Sequence, residues 1–203
     1  MAEGDHEREL EEARRELDRR GAALRGPHTG DEVGDYRRAY DRLLEAERAL
    51  ADARGEEHAV PCDGFPAWDA GAPLPHLLSD GGRATLLYFG RDEDVVVVVR
   101  FHRVVSVRMG APNDEVLHGH PLHGKGLRAY AAHTVARSSW TEELRRINAV
   151  HRAYDPARWT RYHHYLLPFH DETFECVAEG FTATTARTSL AAACREALDG
   201  LLA

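Results

Sequence analysis

The chain has 203 residues, 43% of them hydrophobic, and a formal net charge of −8. This length and apolar content suit one ordinary domain with an appendage and exclude global disorder. The lack of a basic stripe disfavours nucleic-acid binding, and the longest apolar run, residues 95–99, is far shorter than the roughly 20 residues of a membrane helix. With a polar, acidic start and no signal-peptide pattern, we expect a cytoplasmic protein that binds neither nucleic acid nor membrane.

Residues 1–55 are predicted to form an antiparallel helical hairpin. The apolar side chains of residues 6–25 fall on one narrow seam surrounded by charge. A break follows, and Thr29 and Glu32 then have the spacing of a capping box that opens a second helix reaching about Arg54. We expect this acidic arm either to clamp the domain or to mediate a homodimer.

Residues 56–83 are predicted to be a linker wrapped on the surface, because closely spaced Pro and Gly preclude long regular elements. Residues 84–203 follow as a separate domain. Dense β-branched residues predict a strand over 85–89 and a long strand, or two in succession, over 95–109.

Three further elements are predicted before the C-terminus. A strand over 127–136 precedes a helix over 139–154, which Ser139 and Glu142 open as a second capping box. Residues 162–169 and 174–182 are predicted to form a β-hairpin, and residues 187–202 a final amphipathic helix. This order indicates an α+β fold: a mostly antiparallel β-sheet with helices packed on one face, preceded by the N-terminal hairpin.

Several motifs in residues 85–180 resemble a family of uncharacterised bacterial domains. They are Pro112-Asn113-Asp114-Glu115, Gly119-His120-Pro121-Leu122, Gly126-Leu127, Ser139-Trp140, Phe169-His170-Asp171 and Phe174-Glu175. The resemblance covers about half of the chain and not clearly the helical arm. It implies a shared fold, but it supplies no activity, cofactor or catalytic residue.

A loop over residues 110–127 holds the first group of candidate site residues. It contains Asn113, Asp114, Glu115, His118, His120, His123 and the only lysine of the chain, Lys125. A histidine and a carboxylate here suit general acid–base work, with Lys125 or Asn113 holding an anion. The alternative is a structured turn in which Asn113 or Asp114 caps the backbone.

The sequence His118-Gly119-His120 also allows a metal site. Two histidines two residues apart on an extended chain point the same way, as a metal requires. A carboxylate four residues after His120 would complete a cupin-like set, but Gly124 stands there and Lys125 follows. The positive charge of that lysine would oppose a bound cation.

The predicted hairpin holds the second group of candidates. His170 and Asp171 lie near its tip, where Asp171 is either a turn residue or a functional one. Glu175 stands in a strand otherwise built for burial, so it is either on the solvent face or paired. Arg100 and Arg108 are its candidate partners, and an open Arg–Glu pair could bind a substrate carboxylate or phosphate.

These residues favour a small-molecule enzyme of a specialised bacterial pathway that works without a cofactor. We expect proton-transfer chemistry of the lyase, isomerase or cyclase type, with His120 or His170 as acid–base and Asp114 or Glu175 as the orienting carboxylate. Arg100 or Arg108 would anchor an anionic group. The alternatives are a non-catalytic protein-binding or immunity-like module that uses the acidic arm, and a metal-dependent enzyme that uses the His118-Gly119-His120 loop.

Overall fold

A computed structural model describes residues 3–26 and 30–202. The chain divides into two compact units, Met1–Val60 with Pro121–Arg128 and Pro61–His120 with Ala129–Ala203. A short strand β1 (His58–Pro61) lies where the chain passes from the first unit to the second. The predicted capping residue Thr29 lies outside the described residues.

The first unit is built on a pair of helices, α1 (Glu3–Ala23) and α2 (Glu32–Ala53). Asp31 caps α2 by accepting a hydrogen bond from the Gly34 amide. Ion pairs of Arg54 with Glu3 near one end and of Arg20 with Asp35 near the other show that the helices run antiparallel. The predicted helical hairpin is therefore confirmed.

Apolar and polar contacts hold this unit together. Leu10 of α1 packs against Ala46 and Leu50 of α2. The buried Glu47 carboxylate accepts a hydrogen bond of 3.1 Å from the amide of Gly126, which belongs to the segment 121–128. Because a buried carboxylate is costly without a donor, this bond helps to fix the segment on α2.

The described residues of the second unit form eight further strands, two helices and two 3-10 turns. The strands are β2 (His76–Ser79), β3 (Arg83–Phe89), β4 (Val95–His102), β5 (Ser106–Gly110), β6 (His133–Ala136), β7 (His163–Pro168), β8 (Thr173–Ala178) and β9 (Gly180–Arg187). The helices are α3 (Ser139–Asn148) and α4 (Leu190–Leu202), and the 3-10 turns span Asp114–Gly119 and Pro156–Arg161.

These strands form two antiparallel sheets, one in the order β2-β3-β4-β9 and the other containing β6-β7-β8-β5. Their inner faces share a core rich in fully buried aromatic side chains, among them Tyr88, Phe101, Phe169 and Phe174. Burial of rings of this size is a large source of stability. The outer face of the first sheet packs on α4 through Ala193 and Ala197.

The α+β class is thus confirmed. The structure contains two antiparallel sheets where one was predicted, and α4 packs on the outer face of the first. The region predicted as one or two strands, 95–109, is two strands in different sheets. Arg103 between them adopts a left-handed φ of 52°, which turns the chain. Likewise β8 ends at Ala178, and the chain continues as β9 in the other sheet.

Two predicted boundaries also change in the region around α3. The strand predicted over 127–136 is reduced to β6, because Tyr130 has a φ of 58° and interrupts extended backbone. The helix predicted to reach residue 154 ends at Asn148, and its N-cap is Ser138 rather than Ser139. None of the described helices has both the length and the apolar character needed to cross a membrane.

Candidate active site

A row of polar side chains crosses the outer face of the second sheet. Arg108 of β5 stands directly opposite Glu175 of β8. His164 of β7 stands opposite Val177, two residues from Glu175 and therefore diagonal to it on the same face. Their strand neighbours, such as Cys176 and Tyr165, point to the aromatic core. Strand alternation thus brings these three groups together outside the core.

Glu175 is the centre of this row. Its carboxylate accepts two hydrogen bonds of 2.7 Å from Nε and Nη2 of Arg108 and lies 2.7 Å from Nε2 of His164. Burial by itself would raise the pKa of Glu175, but the hydrogen bonds from His164 and Arg108 outweigh it and lower the pKa to about 2. An ionised carboxylate only accepts, so Nε2 of His164 carries a proton and donates it.

The other ring nitrogen of His164 faces a serine. Nδ1 lies 2.9 Å from Oγ of Ser138, which also accepts a hydrogen bond of 3.0 Å from the Thr141 amide as the N-cap of α3. With its proton on Nε2, the neutral form of the ring has a bare Nδ1 that can accept a hydrogen bond from the Ser138 hydroxyl. We call Ser138, His164, Glu175 and Arg108 the cleft cluster.

The indole of Trp140 seals one side of the cleft cluster. Its ring lies edge-on to His164, with 5.1 Å between centroids, and the Arg108 guanidinium stacks 4.2 Å from it. His164 is only 3% exposed and the Glu175 side chain 10%, whereas Arg108 remains half exposed. The imidazole is thus held from three sides and has little freedom to rotate.

The cluster borders a cleft of about 610 Å³, which lies between β6, β7, α3 and the second 3-10 turn. Ser138 and His164 belong to its lining. Trp159 and Tyr162 supply an aromatic wall, with their ring centroids 5.3 Å apart, and Arg137 and the ion pair of Arg145 with Glu142 add charged groups. This volume is within the range of sites for small molecules.

A second histidine–carboxylate cluster lies near the turn between β7 and β8. Nδ1 of His170 is 3.0 Å from Oδ2 of Asp114 and 3.0 Å from the Tyr130 hydroxyl, which also donates to Asp114. The Asp114 amide donates to the His170 carbonyl. Asp114 of the first predicted group and His170 of the second therefore meet here, and we call Asp114, Tyr130 and His170 the loop cluster.

The loop cluster is more open than the cleft cluster. The His170 side chain is 40% exposed, and none of the three residues lines the 610 Å³ cleft. Hydrogen bonds from Tyr130 and His170 lower the pKa of Asp114, and the bond from Asp114 raises that of His170. Partial burial and the bond to Asp114 raise the pKa of Tyr130 to about 12. The loop cluster is therefore a charged, hydrogen-bonded contact at the surface.

The remaining predicted site residues take other positions. Asn113 caps the first 3-10 turn by accepting from the Val116 amide, and His120 ends that turn. Asp171 is exposed, with a carboxylate oxygen 3.9 Å from Nε2 of His170. Lys125 belongs to the first unit, where it pairs with Glu56 at 2.7 Å.

Of the two arginines predicted as partners for Glu175, the structure selects Arg108. Arg100 lies in the other sheet, opposite Thr85 and Thr182. The metal alternative also finds no support in the described part of the chain. There, no three His, Cys, Asp or Glu side chains come together in a group that could hold an ion.

Sequence reasoning missed two residues of these clusters. Ser138 was passed over in favour of its neighbour as a helix cap, and Tyr130 was placed in a strand. The sequence also suggests no role for His164, although its place relative to Glu175 follows once the turn at 169–172 fixes the register.

Comparisons with protein-family models, with curated proteins and with solved structures find no match for this chain. The likeness to uncharacterised bacterial domains therefore stays a resemblance. The function has to be argued from the side chains.

Proposed function

We propose that the chain is a small-molecule enzyme that uses cofactor-independent acid–base chemistry, with the 610 Å³ cleft as its active site. The observation that carries this proposal is the bonded row Arg108–Glu175–His164–Ser138, which ends at the cleft lining. A histidine that is nearly buried, oriented by an ionised carboxylate and adjacent to a cleft is a standard arrangement for proton transfer.

His164 is the acid–base in this proposal, in place of the His120 or His170 that the sequence favoured. Glu175 keeps the proton on Nε2 and offsets the charge of the imidazolium that forms when Nδ1 takes a proton. Arg108 holds Glu175 through two parallel hydrogen bonds, which fixes the carboxylate plane. Both are positioning residues, because His164 and Ser138 lie between them and the cleft.

The cleft supports a substrate with an apolar or aromatic part and a polar reacting group. Trp159 and Tyr162 offer faces for apolar or aromatic stacking, while Ser138 and His164 lie on its polar side. Arg145 donates hydrogen bonds to Glu142 and to the Tyr154 hydroxyl. It therefore belongs to a hydrogen-bond network at the rim of the cleft.

A panel screen with a matched control tests this proposal. Purified wild type, His164→Gln and His170→Gln are assayed against small esters, lactones, β-keto acids and enolisable ketones. We expect His164→Gln to lower kcat/KM by about 10²- to 10⁴-fold with a near-native Tm, because a positioned acid–base contributes that much. His170→Gln should retain activity.

Equal loss in the two variants would contradict the assignment of the cleft. If the wild type turns over no member of the panel and no compound shifts the NMR signals of the cleft, catalysis there loses its support. The protein-binding alternative would then be tested by deleting residues 1–55 and measuring partner capture.

A further inference from the structure

The corner between β6 and α3 has an unusual backbone. Arg137, between the strand and the N-cap Ser138, has a φ of 53°. A residue with a Cβ adopts this left-handed conformation at a cost, and the surrounding structure must impose it. The corner places Ser138 at a strand-to-helix turn in the lining of the cleft. A strained turn of this kind is one way in which folds present a nucleophilic serine.

The hydrogen bonds of Ser138 have the direction that nucleophilic catalysis needs. Because Nε2–H of His164 is committed to Glu175, bare Nδ1 is directed at the Ser138 hydroxyl at 2.9 Å. Serine, histidine and carboxylate in series form the triad that raises the nucleophilicity of a hydroxyl. In the usual triad, Nε2 faces the serine and Nδ1–H faces the carboxylate. Here Nδ1 faces the serine and Nε2–H faces the carboxylate, and the proton still moves from the serine hydroxyl to the ring.

A second serine in the same unit shows what capping alone requires. Oγ of Ser189, just before α4, accepts a hydrogen bond of 3.2 Å from the Ala192 amide. Among the described residues, the structure shows no histidine bonded to Ser189, which is exposed. Ser138 performs the same capping role, yet it is buried and also bonded to His164. Capping therefore does not explain the histidine.

The start of α3 favours the negative charge that forms during acyl transfer. The first turn of a helix lies at the positive end of its dipole. In α3 the Thr141 amide is already bonded to Oγ of Ser138 and the Glu142 amide to the Ser138 carbonyl, so the contribution of this turn is electrostatic. Thr141 in this turn also lines the cleft, and its buried hydroxyl oxygen has no hydrogen-bond partner among the described residues. Donors near a developing oxyanion stabilise the transition state more than the substrate.

From these observations we infer that Ser138 is the nucleophile of a carboxylic-ester hydrolase whose acid–base is His164. This inference rests on the proposed function and narrows its reaction class. Oγ of Ser138 forms a bond to the ester carbonyl carbon while its proton moves to Nδ1 of His164. The C–O bond to the leaving group then breaks, and the proton on Nδ1 passes to the departing alkoxide to give the alcohol.

Water completes the cycle. A water molecule gives one proton to Nδ1 and forms a bond to the acyl carbon, after which the bond from that carbon to Oγ breaks. The proton returns from Nδ1 to Oγ, so ester and water become acid and alcohol with no other reactant. The wall formed by Trp159 and Tyr162 faces the same cleft and suits an apolar or aryl acyl group.

The test is labelling with diisopropyl fluorophosphate, followed by peptide mapping and by assays of p-nitrophenyl acetate hydrolysis. Attack by Oγ forms an O–P bond, expels fluoride and leaves the proton on His164. We expect one label per chain on Ser138, none on Ser189, and a labelling rate at least 100-fold lower in His164→Gln. Ser138→Gly and Ser138→Asn, both residues that cap helices well, should fold and lose labelling and hydrolysis.

Each outcome decides the inference. No label on Ser138, or labelling as slow as that of Ser189, overturns it, as does full hydrolysis by a folded Ser138→Gly. If labelling fails while His164-dependent turnover persists elsewhere in the substrate panel, the proposed acid–base site stands and only the nucleophile is rejected. If both labelling and turnover are absent, both proposals are rejected.

Discussion

Two histidines on the same β-hairpin each bond a carboxylate, and their surroundings separate them. His164 lies on the outer face of β7, 3% exposed, between Glu175 and a serine that borders a cleft. His170 lies at the turn, 40% exposed, with Asp114 and Tyr130. A hydrogen bond from histidine to a carboxylate is weak when water competes for it and stronger when burial excludes water and fixes its geometry. The same residue types thus form a candidate site in one place and an exposed surface contact in the other.

The largest expected effect comes from removing the carboxylate charge of the cleft cluster. Glu175→Gln should lower kcat/KM by about 100-fold, because the second partner of a working histidine sets its orientation and supports its charged form. Steady-state kinetics of the wild type and of Glu175→Gln measures this loss.

Asp114→Asn is the matched control for this change. It removes one carboxylate charge from the loop cluster and should leave kcat/KM within about twofold of wild type. A loss of activity in Asp114→Asn equal to that in Glu175→Gln would show that the two clusters act as one site.

The second effect is on stability. Glu175→Ala leaves the nearly buried His164 without its acceptor and Arg108 without its bidentate partner, and we expect a loss of about 2 kcal/mol in the free energy of unfolding. This is below the full cost of breaking a buried pair, because half-exposed Arg108 can be solvated. Asp114→Ala should cost less. Urea unfolding of both variants checks the order, and a larger loss for Asp114→Ala would reverse the comparison.

A smaller effect is expected at the Arg108–Trp140 stack. Arg108→Lys keeps the positive charge but loses one of the two bonds to Glu175 and the flat contact with the indole. We expect a cost of about 1 kcal/mol. Trp140→Leu in the Arg108→Lys background should then cost less than it does in wild type, and strictly additive costs would argue that the stack contributes nothing.

Much of this architecture could be predicted from the sequence. The helix pair follows from a 3.6-residue apolar pattern, and the strands follow from β-branched runs with alternation. The split of residues 95–109 between two sheets could not be predicted, because it depends on a left-handed Arg103, a conformation that arginine does not signal. The two-sheet core likewise requires tertiary contacts that no local pattern contains.

The candidate site could also be predicted only in part. Glu175 with an arginine followed from a charged residue in a buried strand, and the hairpin register would have added His164. Ser138 could not be found, because its partner His164 is 26 residues away and the two meet only when β6 pairs with β7. The sequence also has no G-x-S-x-G pattern to mark a nucleophilic serine, and here the residue with the left-handed φ is Arg137, next to Ser138.

The smallest effect is the pH dependence of the loop cluster. The pKa of Asp114 is lowered, so its contribution is present above the ordinary carboxyl pKa and is lost as pH falls. The pKa of His170 is raised, so its contribution is present below the ordinary histidine pKa and is lost as pH rises through the folded value. The stability difference between wild type and Asp114→Asn should therefore peak between about pH 4 and 6.5. Thermal unfolding across pH 3–9 measures this stability difference. A difference that grows above pH 8 would contradict a stabilising role for the loop cluster.

The most direct test of the account is the protonation state of His164 in the resting protein. Long-range ¹H–¹⁵N correlation spectra of the imidazole distinguish a nitrogen that carries hydrogen from one that does not. We expect hydrogen on Nε2, which faces the Glu175 carboxylate, and a bare Nδ1 toward Ser138, and Glu175→Gln should weaken that preference. A ring that carries hydrogen on Nδ1, alone or together with Nε2, would leave no base beside Ser138 and would contradict the cleft as an active site.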